Sequence, residues 1–351
     1  MFWPGHRWRE RSSAALALLL LTACNSPTDA VPCATRWADA RWTPLGLDGA
    51  VVATVEDTEW GLFAGTAARG VFRLDESSGE WEGLGLEEFQ VNSLRFVGPP
   101  DRLLAAVSAN SLDEAIIHAS EDRGQTWLAS DSGLALDPDR FYYSAYDLAV
   151  DPRDRRRVFA GTSDWVLRST DAGVSWETVL DGRFPVVGFA PVGGGVVLAS
   201  RALDIGATRL YRSPDAGESW RMLDLFPFGS IWLSRAFTVD HRTPERVWMA
   251  VEAVVWRSEN AGNLWTPGPE IAADRVVFGM VEIDGALVAL ISSHHQEVSS
   301  VSVSCDLGDS WESVAVPAEI GGAETLARGR DGSLIVGTRG AGAWRLEPIG
   351  R

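Results

Sequence analysis

The 351-residue sequence predicts an all-β chain: a single seven-bladed β-propeller with four-stranded antiparallel blades, closed by an N-terminal strand that completes the last blade. Three observations predict it. A short pattern, S-x-D-x-G-x-x-W, recurs along the chain; the tryptophans that end it are almost evenly spaced; and the repeat array is incomplete at both ends in complementary ways.

The pattern is intact at Ser120/Asp122/Gly124/Trp127, Ser169/Asp171/Gly173/Trp176, Ser213/Asp215/Gly217/Trp220 and Ser304/Asp306/Gly308/Trp311. A fifth copy, Ser258/Asn260/Gly262/Trp265, carries Asn in place of Asp, and a degenerate sixth ends at Trp81 with Leu74, Glu76 and Ser78 at the pattern positions. Between two strands an Asp side chain accepts backbone N–H groups of its own turn, Ser adds a local bond, and Gly supplies a positive φ. Trp then opens the returning strand and buries its ring between neighbouring sheets. Every residue of the pattern serves folding, so it is structural and not catalytic.

These copies resemble the Asp box, or bacterial neuraminidase repeat, of sialidases, sortilin-type receptors, xyloglucanases and the propeller assembly factors of photosystem II. The resemblance covers nearly all of the chain after its first residues. It implies the propeller fold and leaves the ligand open.

Within a repeat, apolar runs such as Tyr146 to Val150, Val158 to Gly161 and Trp165 to Leu167 precede the box, with the turn Asp151-Pro152-Arg153 after the first run. With the strand after the box this makes four strands of about 5 residues, the content of one blade. The tryptophans Trp81, Trp127, Trp176, Trp220, Trp265 and Trp311 lie 46, 49, 44, 45 and 46 residues apart. Trp42, in Arg41-Trp42-Thr43-Pro44-Leu45, reads as an outer strand with no box before it; Ser333 to Thr338 and Ala343 to Glu347 read as strands with no box after them. Pairing the first segment beside the last removes two open sheet edges and gives seven blades.

Cys33 lies just before that closing strand and Cys305 inside the box turn of the neighbouring blade, which places both at one end of adjacent sheets. A Cys33–Cys305 disulfide is expected, with two free thiols as the alternative.

The chain begins with Arg7, Arg9 and Arg11, then an apolar run from Ala14 to Ala23, too short to span a bilayer and suited to a secretory signal. Leu21-Thr22-Ala23-Cys24 resembles the lipobox of bacterial lipoproteins, which implies lipidation of Cys24. Asn25, where Asp would favour retention at the inner membrane, implies the outer membrane. The expected organisation is a signal peptide over 1–23, a tether over 24–35 and the propeller over 36–351, secreted and held at the membrane through its N-terminal lipid only. Without residues 1–23 the chain has 28 basic and 47 acidic residues, a field that repels phosphate backbones and disfavours nucleic acid as a partner.

Ligands of such folds are met on variable loops. The candidate binding rim comprises Tyr142, Tyr143 and Tyr146 on one connector and Phe226, Phe228 and Trp232 on another, aromatics that suit sugar rings or peptide side chains and equally suit packing of the loops themselves. His294, His295 and Glu297 are the one dense group of metal-capable residues; adjacent residues on an extended loop point apart, so a solvated loop is the better reading and no metal or cofactor is expected.

The expected function is that of a noncatalytic, monomeric binding or assembly scaffold for protein or glycan at the cell envelope. The alternative is an exo-acting, sialidase-like glycosidase or another glycan-processing enzyme. The resemblance to sialidases would imply an Arg-Ile-Pro motif near the start, and the residues from Cys24 to Leu45 contain none. Xyloglucanases set an acid from each of two propellers across a cleft, and this sequence accounts for one propeller. No catalytic residue is carried over, because shared fold does not imply shared chemistry.

Overall fold

Seven four-stranded antiparallel sheets follow one another around a ring, each inner strand touching the inner strands of the sheets on either side. The computed structural model describes residues 33–349 except 110, 112–113, 135–143, 184–185, 191–194, 203–207, 224–235, 241, 273–274 and 294–298. From the axis outward, blade 1 consists of Val52–Thr58, Gly61–Thr66, Val71–Asp75 and Glu80–Gly83, and blade 2 of Gln90–Val97, Arg102–Ser108, Ile117–Ser120 and Leu128–Ala129. Blade 3 is Ala145–Val150, Val158–Thr162, Trp165–Ser169 and Glu177–Asp181; blade 4 is Val186–Ala190, Val196–Ala202, Thr208–Ser213 and Arg221–Leu223. Blade 5 is Phe237–Val239, Val247–Val251, Val254–Ser258 and Thr266–Glu270; blade 6 is Arg275–Ile283, Ala286–Ser293, Ser299–Ser304 and Glu312–Val314. Blade 7 takes Ala323–Arg328, Leu334–Thr338 and Ala343–Glu347 from the end of the chain and its outer strand, Arg41–Gly46, from the beginning.

That closure is the expected pairing. Arg41 faces Glu347 and Trp42 faces Leu346; the Arg41 guanidinium meets Glu347 at 2.7 Å, and the Trp42 indole N–H donates to the Ala315 carbonyl at 2.8 Å. The pairing covers both sheet edges at the junction.

The second strands carry the core. Val158–Thr162, Val247–Val251 and Leu334–Thr338 are buried at every residue, because neighbouring blades cover both faces, and their sequences are continuous apolar runs instead of alternating ones. Apolar clusters accordingly lie between blades: Leu104 and Ile117 of blade 2 pack with Leu148, Leu167 and Trp176 of blade 3, and Leu290 and Val301 of blade 6 with Leu334 and Leu346 of blade 7. Each such side chain contributes about 1.5 to 3 kcal/mol by burial.

The boxes close the turns between third and fourth strands. In blade 3, Ser169 Oγ accepts the Gly173 N–H at 2.8 Å and donates to Asp171 Oδ1 at 2.8 Å, while Asp171 accepts the Ser175 N–H at 2.9 Å and the Ser175 hydroxyl at 2.5 Å. Thr126, Ser219 and Ser310 repeat the Ser175 contacts in their own boxes. This seventh position belongs to the working pattern, although the sequence pattern leaves it blank.

Arginine preceding the box serine ties the ring together a second time. Arg168, Arg212 and Arg257 donate to the carbonyls of Ala216, Ala261 and Leu307, each in the box of the following blade, at 2.8, 2.8 and 3.1 Å. Arg168 also meets Glu218 and Arg257 meets Asp309 in that box. At the corresponding place beside Arg212 stands Asn263, whose carbonyl oxygen is taken by Arg221.

Four expectations gain detail. The first concerns the division of labour inside the boxes, where the carboxylate takes one backbone N–H and the serine takes the glycine's. Gly124, Gly217, Gly262 and Gly308 donate to Ser120, Ser213, Ser258 and Ser304 at 2.7, 2.8, 2.8 and 2.7 Å. Two consecutive residues are left-handed, not the glycine alone: φ is 61° at Ala172 and 84° at Gly173, and Arg123, Ala216, Ala261 and Leu307 likewise precede left-handed glycines. Most of these glycines also meet a spatial demand that the positive φ does not express. A Cβ on Gly124, Gly173, Gly217 or Gly262 would come within 2.7 to 2.9 Å of Leu84, Leu104, Phe159 or Leu198, so the box sits directly on its predecessor in the ring. Gly308 differs, since its nearest neighbour would be Leu287 Cδ1 at 3.6 Å, and the backbone conformation alone requires it. Asn260 is a weaker substitute than its place in the pattern suggests. Its Oδ1 accepts from Ser258 Oγ at 3.1 Å and from the Leu264 N–H at 2.8 Å, but Leu264 has no hydroxyl to complete the set.

The second concerns the degenerate turn of blade 1. It is organised by Asp75, which accepts the N–H and hydroxyl of Ser77 and the hydroxyl of Ser78, and not by Leu74, Glu76 and Ser78 in box geometry. Third, the box tryptophans bury less than expected. Trp176 is 4% exposed, but the others are half-buried, and Trp81, Trp127 and Trp176 use their indole N–H to hold the carbonyls of Leu45, Leu84 and Ser130, each ahead of the blade concerned. Fourth, the tether does not extend to residue 35. Cys33–Ala38 is a short helix, α1, and Trp37, 3% exposed, packs it into the apolar cluster of blades 6 and 7.

Cys33 at the start of α1 is bonded to Cys305 in the blade 6 box, with an S–S distance of 1.96 Å and a Cα–Cα distance of 5.9 Å. Residues 1–23, the lipobox with Cys24 and the tether up to residue 32 lie outside the described residues. No helix among the described residues is long and apolar enough to cross a membrane.

Candidate functional site

In an up-and-down blade the box turn shares one face with the turn between first and second strands, and the connections between blades lie on the other face. A cavity of about 810 Å³ occupies the ring axis and is lined from the inner strands of blades 1, 2, 3, 5, 6 and 7. Its mouth on the connection face is formed where these strands begin. The box residues, Gly124, Gly173, Gly217, Asn260, Gly262 and Gly308 among them, are absent from its lining.

At that mouth the fold repeats a device that the sequence does not advertise. In five blades the inner strand carries one residue more than its partner, because the register slips between Val52 and Thr54, Val91 and Ser93, Ala145 and Asp147, Val277 and Gly279, and Ala323 and Thr325. The extra residues are Ala53, Asn92, Tyr146, Phe278 and Glu324, and all five line the cavity. A bulge bends its strand and re-aims a side chain, so one backbone feature presents five different chemistries at the same height. With Phe237 of blade 5, Tyr146 and Phe278 make an aromatic arc; Asn92 and Glu324 lie on the arc of blades 7, 1 and 2.

The polar arc is preset. Asn92 Nδ2 donates to Ser108 Oγ at 3.0 Å and to the Ala145 carbonyl at 2.8 Å, and its Oδ1 accepts from Gln90 Nε2 at 2.9 Å. Glu324 is paired with Arg339.

Below the bulges lies a charged group drawn from three blades. Arg95 Nη1 is 3.8 Å from Glu56 Oε2 and Arg95 Nη2 is 3.6 Å from Asp147 Oδ1, both longer than hydrogen bonds. Arg95 spends Nη1 on the Leu94 carbonyl at 2.7 Å. Glu56 Oε1 accepts the Phe96 N–H at 3.1 Å, and Asp147 Oδ1 accepts the Leu148 N–H at 2.9 Å and the Ser93 hydroxyl at 3.4 Å. The Glu56 and Asp147 side chains are 24% and 21% exposed, within the cavity. Burial pushes the Glu56 carboxyl above its ordinary value; Arg95, the Phe96 N–H and Arg155 oppose this, and Asp57 adds to it.

Elsewhere on the inner strands hydroxyls satisfy backbone groups facing the next blade. Thr54, Ser93 and Thr238 accept the N–H groups of Leu94, Leu148 and Glu282. The opposite mouth is a smaller cavity of about 410 Å³, where Glu56 and Asp57 meet Phe96, Arg155 and Arg330. Arg155 stacks on the Phe96 ring at 4.5 Å.

Of the expected rim aromatics, Tyr146 lines the cavity, and Tyr142, Tyr143, Phe226, Phe228 and Trp232 lie outside the described residues, as do His294, His295 and Glu297. Among the described residues no group of three or more His, Cys, Asp or Glu is placed to hold a metal ion. Sequence reasoning missed Glu56, Arg95, Asp147 and the bulge residues other than Tyr146.

No protein-family model matches the chain. A xyloglucanase from a Paenibacillus species is 24% identical over 271 residues, 64% of this chain and 26% of that protein, and the xyloglucanase Xgh74A of Acetivibrio thermocellus is 29% identical over 160 residues, 37% of this chain and 19% of that protein. The chain therefore spans about a fifth to a quarter of the length of the curated relatives it matches. Among solved structures, the GH74 xyloglucanase of Xanthomonas campestris superposes with a TM-score of 0.63 at 16% identity, covering 88% of this chain and 54% of that one. Streptogramin B lyase gives 0.66 at 11% identity, covering 89% of this chain and 99% of that one, and YCF48 bound to D1 peptide gives 0.61 at 14%, covering 89% and 97%. The chain is thus a seven-bladed β-propeller, with weak sequence similarity to part of the GH74 xyloglucanases.

Proposed function

We propose that the chain is a lipid-anchored scaffold of the bacterial cell envelope, secreted by its 1–23 signal, attached through Cys24 at the outer membrane, and engaging a glycan in its axial cavity as a monomer. The observation that carries the reading is the ring of bulged residues. An aromatic arc from Tyr146, Phe237 and Phe278 facing Asn92 and Glu324 suits a sugar ring, whose C–H face packs on aromatics while its hydroxyls seek fixed polar partners. The similarity to xyloglucanases supports a glycan over a peptide. The acidic charge of the chain disfavours nucleic acid.

A glycan and peptide array with the soluble form beginning at Pro32, which retains Cys33 and α1, tests the reading. Binding of oligosaccharides that weakens about tenfold in Tyr146→Ala is expected; selective binding of peptides with no oligosaccharide bound replaces glycan by protein as the ligand class. Lipidation is tested separately, by labelling cells with an alkynyl fatty acid and comparing Cys24→Ser. A second reading, a glycosidase, is favoured by one observation: two carboxylates with different surroundings, Glu56 and Asp147, share the cavity on either nitrogen of one guanidinium.

A further inference from the structure

The arginines before the box serines are neutralised in blades 3 and 5 but not in blade 4. Arg168 meets Glu177 of its own blade at 2.8 Å and Glu218 of the following box at 2.6 Å; Arg257 meets Glu259 at 3.3 Å and Asp309 at 3.1 Å. In blade 4 both carboxylate positions are exchanged. Opposite Arg212, across the third and fourth strands, stands Arg221, where Arg168 has Glu177, and the following box offers Asn263 where the others offer Glu218 or Asp309. Like charges placed directly opposite destabilise a strand pair, so this arrangement is kept at a cost.

Both guanidiniums converge on the blade 5 box: Arg212 Nε donates to the Ala261 carbonyl at 2.8 Å, and Arg221 Nη2 donates to Asn263 Oδ1. Arg212 is 6% exposed, and its terminal nitrogens have no acceptor among the described residues, yet neither is sealed from solvent. Burial, with Arg221 adding to it, pushes this guanidinium below its ordinary value. A planar carboxylate that accepts the terminal N–H groups relieves both the unmet donors and the like-charge pair. Leu264 adds a second signal. It follows Asn263 at the place where Thr126, Ser175, Ser219 and Ser310 supply hydroxyls in their boxes, and it is 72% exposed. A free anion makes no use of an exposed leucine, whereas an acidic side chain on a polypeptide brings apolar neighbours with it.

We propose that the groove between the boxes of blades 4 and 5 docks an acidic segment of a partner protein, one Asp or Glu carboxylate bridging Arg212 and Arg221 and an apolar neighbour packing on Leu264. The partner's carboxylate takes the part that Glu177 and Glu218 play beside Arg168. In a chain with a formal charge of −17 the arginine pair is a local reversal of the field, which fixes where an acidic segment settles. The site lies on the box face and does not rest on the glycan reading of the axial cavity, whose lining contains none of these residues.

The test uses the soluble form from Pro32 and a set of short synthetic peptides, each with one Glu or Asp between apolar residues on a neutral background, beside copies carrying Gln or Asn. Binding is read by fluorescence anisotropy at low salt. Acidic peptides are expected to bind about tenfold more tightly than their amide copies. The same peptides lose about tenfold in affinity in Asn263→Asp, which supplies a carboxylate from within, and in Arg221→Glu, which restores the blade 3 pairing. Leu264→Ser weakens binding about threefold. Both charge variants should melt no lower than the unaltered protein, so that lost binding is not lost fold; lower melting in both contradicts the premise that Arg212 gains from a carboxylate. Acidic peptides that bind no better than their amide copies, or that bind Asn263→Asp equally well, overturn the proposal. Malonate that raises the melting temperature of the unaltered protein but not of Asn263→Asp, with no peptide bound, makes the pair a site for free anions and overturns the protein partner.

Discussion

The two faces of the ring use their side chains in opposite ways. On the box face the same chemistry recurs from blade to blade, and carboxylates and guanidiniums are held locally or by the next blade: Asp171 by Ser169 and Ser175, Arg168 by Ala216, Glu177 and Glu218. In the axial cavity the same backbone device recurs, but the residues it displays differ, and below it Arg95 stands 3.8 Å from Glu56 and 3.6 Å from Asp147. Repetition of residues marks what holds the ring together. Repetition of backbone with variation of residues marks where the ring meets something else.

Loss of the bond that spans the box face should have the largest effect. Replacing Cys33 and Cys305 by Ser is expected to lower stability by about 4 kcal/mol, read as a drop in the denaturation midpoint, through the entropy regained by a loop of 272 residues. Next, Gly173→Ala forces a side chain onto Leu104 from a left-handed backbone and should cost about 2 kcal/mol, with ligand binding unchanged; a binding defect at unaltered melting temperature would give the box face a second role.

The blade 5 box offers the converse. Arg212 is 6% exposed and faces no carboxylate among the described residues, where Arg168 and Arg257 have one each in the following box, so Asn263→Asp should raise stability by about 1 kcal/mol. Acid should separate the two faces further. Hydrogen bonds, from Thr126 at Asp122 and from Ser219 at Asp215, hold these box carboxyls below 3.8, so their stabilisation is present above that value and is lost as pH falls through their depressed values. Glu56 is shifted the other way; its folded form binds the proton more tightly than the unfolded chain, so acidification relieves a penalty there. Glu56→Gln should therefore change neutral-pH stability least, by less than about 1 kcal/mol, and melting curves from pH 3 to 7 would show its difference from the unaltered protein shrinking at the acid end.

Blade number, ring closure and the box turns were legible because each rests on residues that recur or on ends that complement each other, as Arg41–Gly46 and Ala343–Glu347 do in the last sheet. Why the box glycines recur was only half legible: the turn accounts for their φ, but the side chains pressing on Gly124, Gly217 and Gly262 come from earlier in the chain. Of the cavity only Tyr146 was legible. Ala53, Asn92, Tyr146, Phe278 and Glu324 share a place in the backbone but no common residue type, and the bulges that align them have no residue signature here. Glu56, Arg95 and Asp147 come from three repeats at unequal offsets, so reading along any single repeat leaves them apart. The arginines before the box were visible in sequence, but their acceptors lie one repeat ahead. Helix α1 was missed because six residues carry too little periodicity; its formation depends on the burial of Trp37.

The bond between Cys33 and Cys305 lies upstream of the closing strand and lands on blade 6, not on blade 7. A pull on the polypeptide ahead of Cys33 is therefore delivered through sulfur into the blade 6 box turn. The hydrogen bonds of Arg41–Gly46 to Ala343–Glu347 carry none of that load while the sulfurs are joined, and the zipper stays shut under tension that would otherwise peel it open one residue at a time.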